Sequence, residues 1–167
     1  MDSGTNSILY DVWGSSSSDV YAVGSSYNSS TGQNQPIVLH FNGTLWLPMD
    51  TRISIGSFTA VWASSSSDVF IVGGDYTQGN IILHFDGKTW QKMESHAPAI
   101  RVLNGIWGSS SSDVYAVGQP GGIVHFNGTS WNAMDDNASP MLRAVWGSSS
   151  SDISVGGQGM AILHRIL

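Results

Sequence analysis

The sequence predicts an all-β fold made of four copies of one antiparallel unit, and three observations carry that expectation. The stretch WGSSSSDVYAVG at Trp107 to Gly118 recurs unchanged at Trp13 to Gly24, as WASSSSDVFIVG at Trp62 to Gly73, and as WGSSSSDISVG at Trp146 to Gly156. Self-similarity of this kind marks a repeat architecture. The segments between the Ser, Gly and Asn clusters are short and rich in Val, Ile, Trp and Tyr, which fits strands. No window holds a 3.6-residue apolar period with capping residues, so no helix is expected.

Each unit reads as four strands, A to D. Strand A ends in Trp13, Trp62, Trp107 or Trp146, and six residues later Asp19, Asp68, Asp113 or Asp152 opens strand B. The Ser run between them holds a constant register, so it is read as a constrained turn rather than a flexible linker. A variable stretch then leads to strand C, which carries His40, His84, His125 or His164 in IVLHF, IILHF, GIVHF and AILHR. Six residues beyond the first three of these, Trp46, Trp90 and Trp131 open strand D. Strands C and D are joined at Asn42-Gly43, Asp86-Gly87 and Asn127-Gly128. Such pairs favour a type I′ hairpin, in which both central residues take positive φ. The fourth unit reaches Leu167 after strand C, so strand D is not expected there and strand C should be a sheet edge.

The units run over about 8–50, 58–94, 103–135 and 142–167 of a single 167-residue domain. A four-stranded unit of about 40 residues suits a propeller blade. The units resemble the repeats of many uncharacterised bacterial β-propeller proteins, which carry a W-G-S-S-S-S-D-V-Y-A-V-G core and an H-F-N-G-T-x-W hairpin. The resemblance runs from Ile8 to His164. It implies a propeller and is nearly silent on activity, because propellers host enzymes, lectins and scaffolds alike. The Asp-box of sialidase-type propellers is not matched, since Asp86 and Gly87 are adjacent here.

In an open arc the outer faces of the first and last units would be bare, and patches of several hundred Å² are seldom left wet. Two copies about a shared axis would cover both and complete an eight-bladed ring, so a homodimer is expected, with a closed four-bladed monomer as the alternative.

Composition narrows the partners. Charged residues are only 11% and the net charge is −6. Arg52, Lys88, Lys92, Arg101, Arg143 and Arg165 are scattered, so nucleic acid is not expected. There is no cysteine, hence neither a disulfide nor a thiolate site. No apolar run approaches about 18 residues, so no membrane partner is expected, and the compartment is left open between cytoplasmic and secreted. No metal and no cofactor are expected.

The repeated Trp, Asp and His are read as a structural network, much as a similar set braces each blade of WD-type propellers. A catalytic site needs one asymmetric constellation, whereas identical blades need the same brace in each. The pattern places a strand-C His against Asp or Ser with Trp packed over it. Antiparallel order puts the near-identical A–B and C–D turns at one end and the variable B–C and D–A loops at the other. That second face is the candidate binding surface. Its candidate ligand residues are Tyr27, Asn28 and Asn34, then Asp75, Tyr76 and Asn80, and Arg101; Arg52, Glu94, His96, Asp135, Asp136 and Arg143 lie nearby on the D–A connections. His96 stands outside the repeat pattern and is expected to be a solvated loop residue.

A non-catalytic binding or scaffold module is the leading function, favoured over a carbohydrate-binding propeller, for which Tyr and neutral amides would supply flat rings and adaptable hydrogen bonds. A glycosidase or sialidase-like enzyme is least supported. Glycoside hydrolysis usually wants two facing carboxylates, while this chain has one Glu, and Arg52, Arg101 and Arg143 fall at unequal offsets from strand A. No G-x-S-x-G, P-loop or H-E-x-x-H motif is present.

Overall fold

A computed structural model describes residues 4–97, 99–134, 141–160 and 162–166. Their regular structure is fifteen strands and one 3₁₀ turn, Gln158–Met160. Strands β1 (Ile8–Ser16), β2 (Asp19–Asn28), β3 (Gln33–Phe41) and β4 (Trp46–Pro48) pair in sequence order as one antiparallel sheet. The pattern repeats in β5 (Ser57–Ser65), β6 (Asp68–Asp75), β7 (Gly79–Phe85) and β8 (Trp90–Met93). It repeats again in β9 (Val102–Ser110), β10 (Asp113–Gln119), β11 (Gly122–Phe126) and β12 (Trp131–Met134). A bridge between Gly74 and Val102 ties these last two sets together. Strands β13 (Leu142–Ser149), β14 (Asp152–Gly157) and β15 (Ile162–Ile166) form a three-stranded sheet with β15 at its edge among the described residues.

Register explains the constant spacing. Trp13 faces Tyr21, Trp62 faces Phe70, Trp107 faces Tyr115 and Trp146 faces Ser154. The next strand over brings His40 opposite Tyr21, His84 opposite Phe70 and His125 opposite Tyr115. Each A–B pair carries a bulge just after the Trp, as between Gly14 and Ser16 or Ala63 and Ser65. Ser16 then pairs with Asp19, which leaves Ser17 and Ser18 as the turn. One serine is therefore consumed by the bulge and two by the turn, so shortening the run would throw every strand-B side chain onto the opposite face.

The C–D turns differ from the type I′ expectation. Gly43, Gly87 and Gly128 have φ of 92°, 86° and 88°, but Asn42, Asp86 and Asn127 are not among the residues with positive φ. Phe41 pairs with Trp46, so the loop spans four residues. The Asn42 carboxamide oxygen accepts the Thr44 and Leu45 N–H groups, and Asp86 and Asn127 do the same in their turns. The side chain thus satisfies the loop backbone, and only the glycine enters the left-handed region.

Successive sheets stack face to face. Tyr21, Val23 and Val38 of the first set meet Val61, Ala63, Val69, Ile71 and Leu83 of the second. Phe70, Val72 and Ile82 meet Leu103, Val114, Ala116, Val124 and Trp131 of the third. Tyr115 and Val117 meet Leu142, Val145, Ile153 and Val155 of the last. Burying each Val, Leu, Ile or Phe among these contributes roughly 1.5–3 kcal/mol relative to exposure. The strand-A Trp locks each junction. A Cβ on Gly108 would lie 2.7 Å from the Trp62 indole, and one on Gly147 would lie 2.6 Å from that of Trp107. Trp13 packs on the cluster that contains Ala63, the corresponding small residue. Residues of β1, β5, β9 and β13, among them Tyr10, Asp11, Thr59, Asn104 and Arg143, line a common hollow of about 280 Å³.

The ends are bare only in part. Ile8, Val12 and Trp146 are 63%, 62% and 63% exposed, yet Ala22, Leu39 and Phe41 on the outer face of the first sheet are buried. On the first set the uncovered surface is therefore strand A rather than the whole sheet face, and on the last set Trp146 is uncovered. Strand B also shortens along the chain, with 10, 8, 7 and 6 residues in β2, β6, β10 and β14.

Candidate functional site

The repeated polar residues form three equivalent braces. His40 Nε2 lies 2.6 Å from Asp19 Oδ1, His84 lies 2.6 Å from Asp68 and His125 lies 2.7 Å from Asp113. The other carboxylate oxygen accepts the hydroxyl of Ser15, Ser64 or Ser109, and Ser148 donates to Asp152 in the same way. His164 lies in β15, whose side chains fall outside the described residues. In the three described braces the ring over the His is not the Trp but the strand-B aromatic. Tyr21, Phe70 and Tyr115 stack on their histidines at 4.5, 4.4 and 4.3 Å. Sequence reasoning places these three rings only as generic strand residues.

This order of groups is unsuited to nucleophilic catalysis. A Ser–His–Asp triad needs the imidazole between the hydroxyl and the carboxylate, so that it can take the hydroxyl proton. Here the carboxylate sits in the middle, and the serine and histidine both spend their protons on it. Between sheets, the Tyr21 hydroxyl donates to the Ser66 carbonyl at 3.0 Å. Burial, with a smaller push from the Asp19 charge, raises the Tyr21 pKa to about 12. Among the described residues no group of three or more His, Asp or Glu could hold a metal ion.

The opposite end carries the B–C and D–A loops. Tyr27 and Tyr76 are 69% and 66% exposed. Several of the other candidates brace the loops themselves. The Asn28 carboxamide oxygen accepts from Ser30 and Thr31 N–H, and Asp75 accepts from Thr77 and Gln78 N–H. The Thr77 hydroxyl, which also donates to this carboxylate, and then the Thr77 N–H hold the Asp75 carboxyl below its ordinary range. Asn80 Nδ2 donates to the Ala97 and Ile100 carbonyls at 3.2 and 2.9 Å. The Asn34 carbonyl accepts from Gly56 N–H at 3.0 Å. Gln119 donates to the Tyr76 hydroxyl, tying the second and third loops together.

At the same end lies a hollow of about 460 Å³ lined by Gln78, Gly79, Asn80, Lys92, Glu94, Ser95, His96, Ala97 and Arg101. A second, of about 220 Å³, adjoins it through Gln78 and Lys92 and adds Arg52, Ile53, Ser54, Ile55 and Ile81. Arg52, Lys92 and Arg101 thus gather at one place although they are dispersed in sequence. The ion pairs found among the described residues are the three His–Asp contacts, so none of these cations has an ion-pair partner there, although Glu94 lines the same hollow as Lys92 and Arg101. Arg52 and His96 each stand six residues after a strand-D Trp, and both adopt positive φ, 61° and 49°. His96 is an exposed loop residue, as expected, and its Nδ1 donates to the Trp131 carbonyl at 2.9 Å. Asp135 and Asp136 lie outside the described residues.

No family model matches the chain, and no curated protein does. Among solved structures it is similar to that of YCF48 bound to D1 peptide, with a TM-score of 0.66 and 19% sequence identity. The match covers 98% of this chain and 56% of that one, so this chain spans about half the length of its structural neighbour. Stacked antiparallel sheets around a common hollow, together with this likeness, define the chain as an all-β, propeller-like protein. No helix of the described residues is long and apolar enough to cross a membrane.

Proposed function

We propose that the chain is a non-catalytic, protein-binding β-propeller module of the WGSSSSDVYAVG repeat type, with its partner seated on the B–C and D–A loop end. In this reading the four units are half of an eight-bladed ring that a second copy completes. The observation that carries the binding surface is the contrast between the two ends. The A–B and C–D end consumes its polar groups in braces and turns, whereas the loop end presents two exposed tyrosines and three cations without ion-pair partners beside hollows of ligand size. The D1 peptide bound to YCF48 supports a protein partner by analogy of fold.

The test is selection of displayed random peptides on the immobilised chain, followed by binding measurements. Tyr76→Ala, Arg101→Ala and Lys92→Ala should each weaken the selected peptides at least tenfold, while Lys88→Ala on a C–D turn should not. Peptides insensitive to all three loop changes would refute the assignment of this face. A carbohydrate partner is favoured by the flat exposed rings of Tyr27 and Tyr76. Saturable glycan-array binding lost in both Tyr→Ala variants would replace the peptide reading.

A further inference from the structure

Three internal junctions share one design. The strand-A Trp of each set covers a small residue of the next, so that Trp13, Trp62 and Trp107 pack toward Ala63, Gly108 and Gly147. At two of the three, the register position three residues before the Trp adds a polar link. Thr59 Oγ1 donates to the Leu103 carbonyl, and Asn104 Nδ2 donates to that of Leu142 at 2.7 Å.

The two ends of the chain hold the two halves of this device unfilled. Trp146 is 63% exposed. Gly14 is exposed, and the atoms nearest to a Cβ there belong to Val20, Asp19 and Ser16 of its own sheet, where the internal junctions have the Trp62 or Trp107 indole. Arg143 occupies the linking position and is exposed at the common hollow. Val12, the counterpart of the buried Val61 and Val145, is 62% exposed, whereas Ala22 and Leu39 on the same face are already buried, so the part of this face open to a second copy is strand A.

We infer that a second copy of this chain docks head to tail, with Trp146 of one copy seated over Gly14 of the other and Arg143 reaching the Leu9 carbonyl across the junction. This rests on the half-ring reading and gives it an interface. Each junction pairs different surfaces of the two copies, and a two-fold axis along the channel relates the two junctions, so Trp146 meets Gly14 in both directions and the two-copy ring closes. Ser154 and Gly156 stand where the internal junctions place Tyr or Phe and Val, so the contact between copies is less apolar than those within a copy and should be reversible.

Sedimentation of the intact chain tests this. The wild type should run near twice 17.8 kDa at high concentration. A wild type that stays at 17.8 kDa overturns the half-ring reading and the junction with it, and growth into open polymers overturns ring closure. Trp146→Lys and Gly14→Leu should each weaken association at least a hundredfold, with unchanged circular dichroism. Mixing the two variants supplies one copy with an intact Trp146 and the other with an intact Gly14, so a heterodimer should reappear with one good junction. A dimeric wild type with no rescue in the mixture overturns the head-to-tail pairing while leaving a two-copy assembly standing. Gly156 has open space where a Cβ would sit. Gly156→Val should therefore tighten the dimer at least tenfold, and an unchanged constant would place that face outside the interface.

Discussion

The clearest test of equivalence between junctions is an exchange at the strand-B aromatic. Tyr21 is 1% exposed and its hydroxyl reaches the Ser66 carbonyl in the neighbouring A–B turn at 3.0 Å. Phe70 holds the same register position one set later and lacks the hydroxyl. Ser66 lies four residues after Trp62, and the residue four after Trp107 is Ser111, so Phe70→Tyr should find Ser111 waiting. A net hydrogen bond of this kind contributes about 1 kcal/mol. For a chain of this size that corresponds to about 2–4 °C in melting temperature. Tyr21→Phe should therefore lower the midpoint by that amount, and Phe70→Tyr should raise it or leave it level, because the ring keeps its stack on His84. Calorimetry on both variants reads the pair of signs. The tyrosine adds a pH signature: its folded pKa of about 12 lies above the ordinary value of 10.0, so its contribution is complete below pH 10.0 and fades as pH rises toward 12. Tyr21→Phe should flatten the alkaline limb of the stability profile. If Phe70→Tyr loses more than about 1 kcal/mol, the junctions are not copies of one another and the reasoning fails.

Trp107→Ala should cost about 3 kcal/mol, the low end for a core aromatic because the ring is only half-buried over Gly147, and urea unfolding would measure it. Asn80→Ala removes the donor to two loop carbonyls and should cost about 1–2 kcal/mol while raising amide exchange around Ile100; unchanged exchange would deny that bracing. Asp75 has its carboxyl held low, so its contribution to the B–C loop is present above the unfolded carboxylate pKa and lost as pH falls below it. Exchange of the Thr77 and Gln78 amides should accelerate on acidification, and Asp75→Asn should abolish most of that dependence.

How much of this is legible in sequence follows from how local each feature is. The six-residue step from Trp to Asp already contains the bulge and turn, since both are closed within one run of serines. The His–Asp contact is legible because the same three residue types return at one register. The ring over the histidine is not, since Tyr or Phe on a strand is an ordinary choice and only pairing across β2 and β3 puts Tyr21 against His40. The Asn-Gly turns mislead because the same dipeptide serves a two-residue loop and the four-residue loop found here. Lys92 escapes notice for a different reason: it belongs to strand D, and only the D–A connection folding back beside it brings Arg101 and Arg52 into its company.

The steady shortening of strand B has a geometric outcome. Four residues of difference between β2 and β14 amount to about 13 Å of strand, so the rim descends like a spiral ramp from the first set to the last. A partner lying across it meets a slope with a high lip at Tyr27 rather than a level plate. In a two-copy ring each high lip would stand beside the other copy's low end, giving two steps half a turn apart, and a partner with two matching segments could grip both at once.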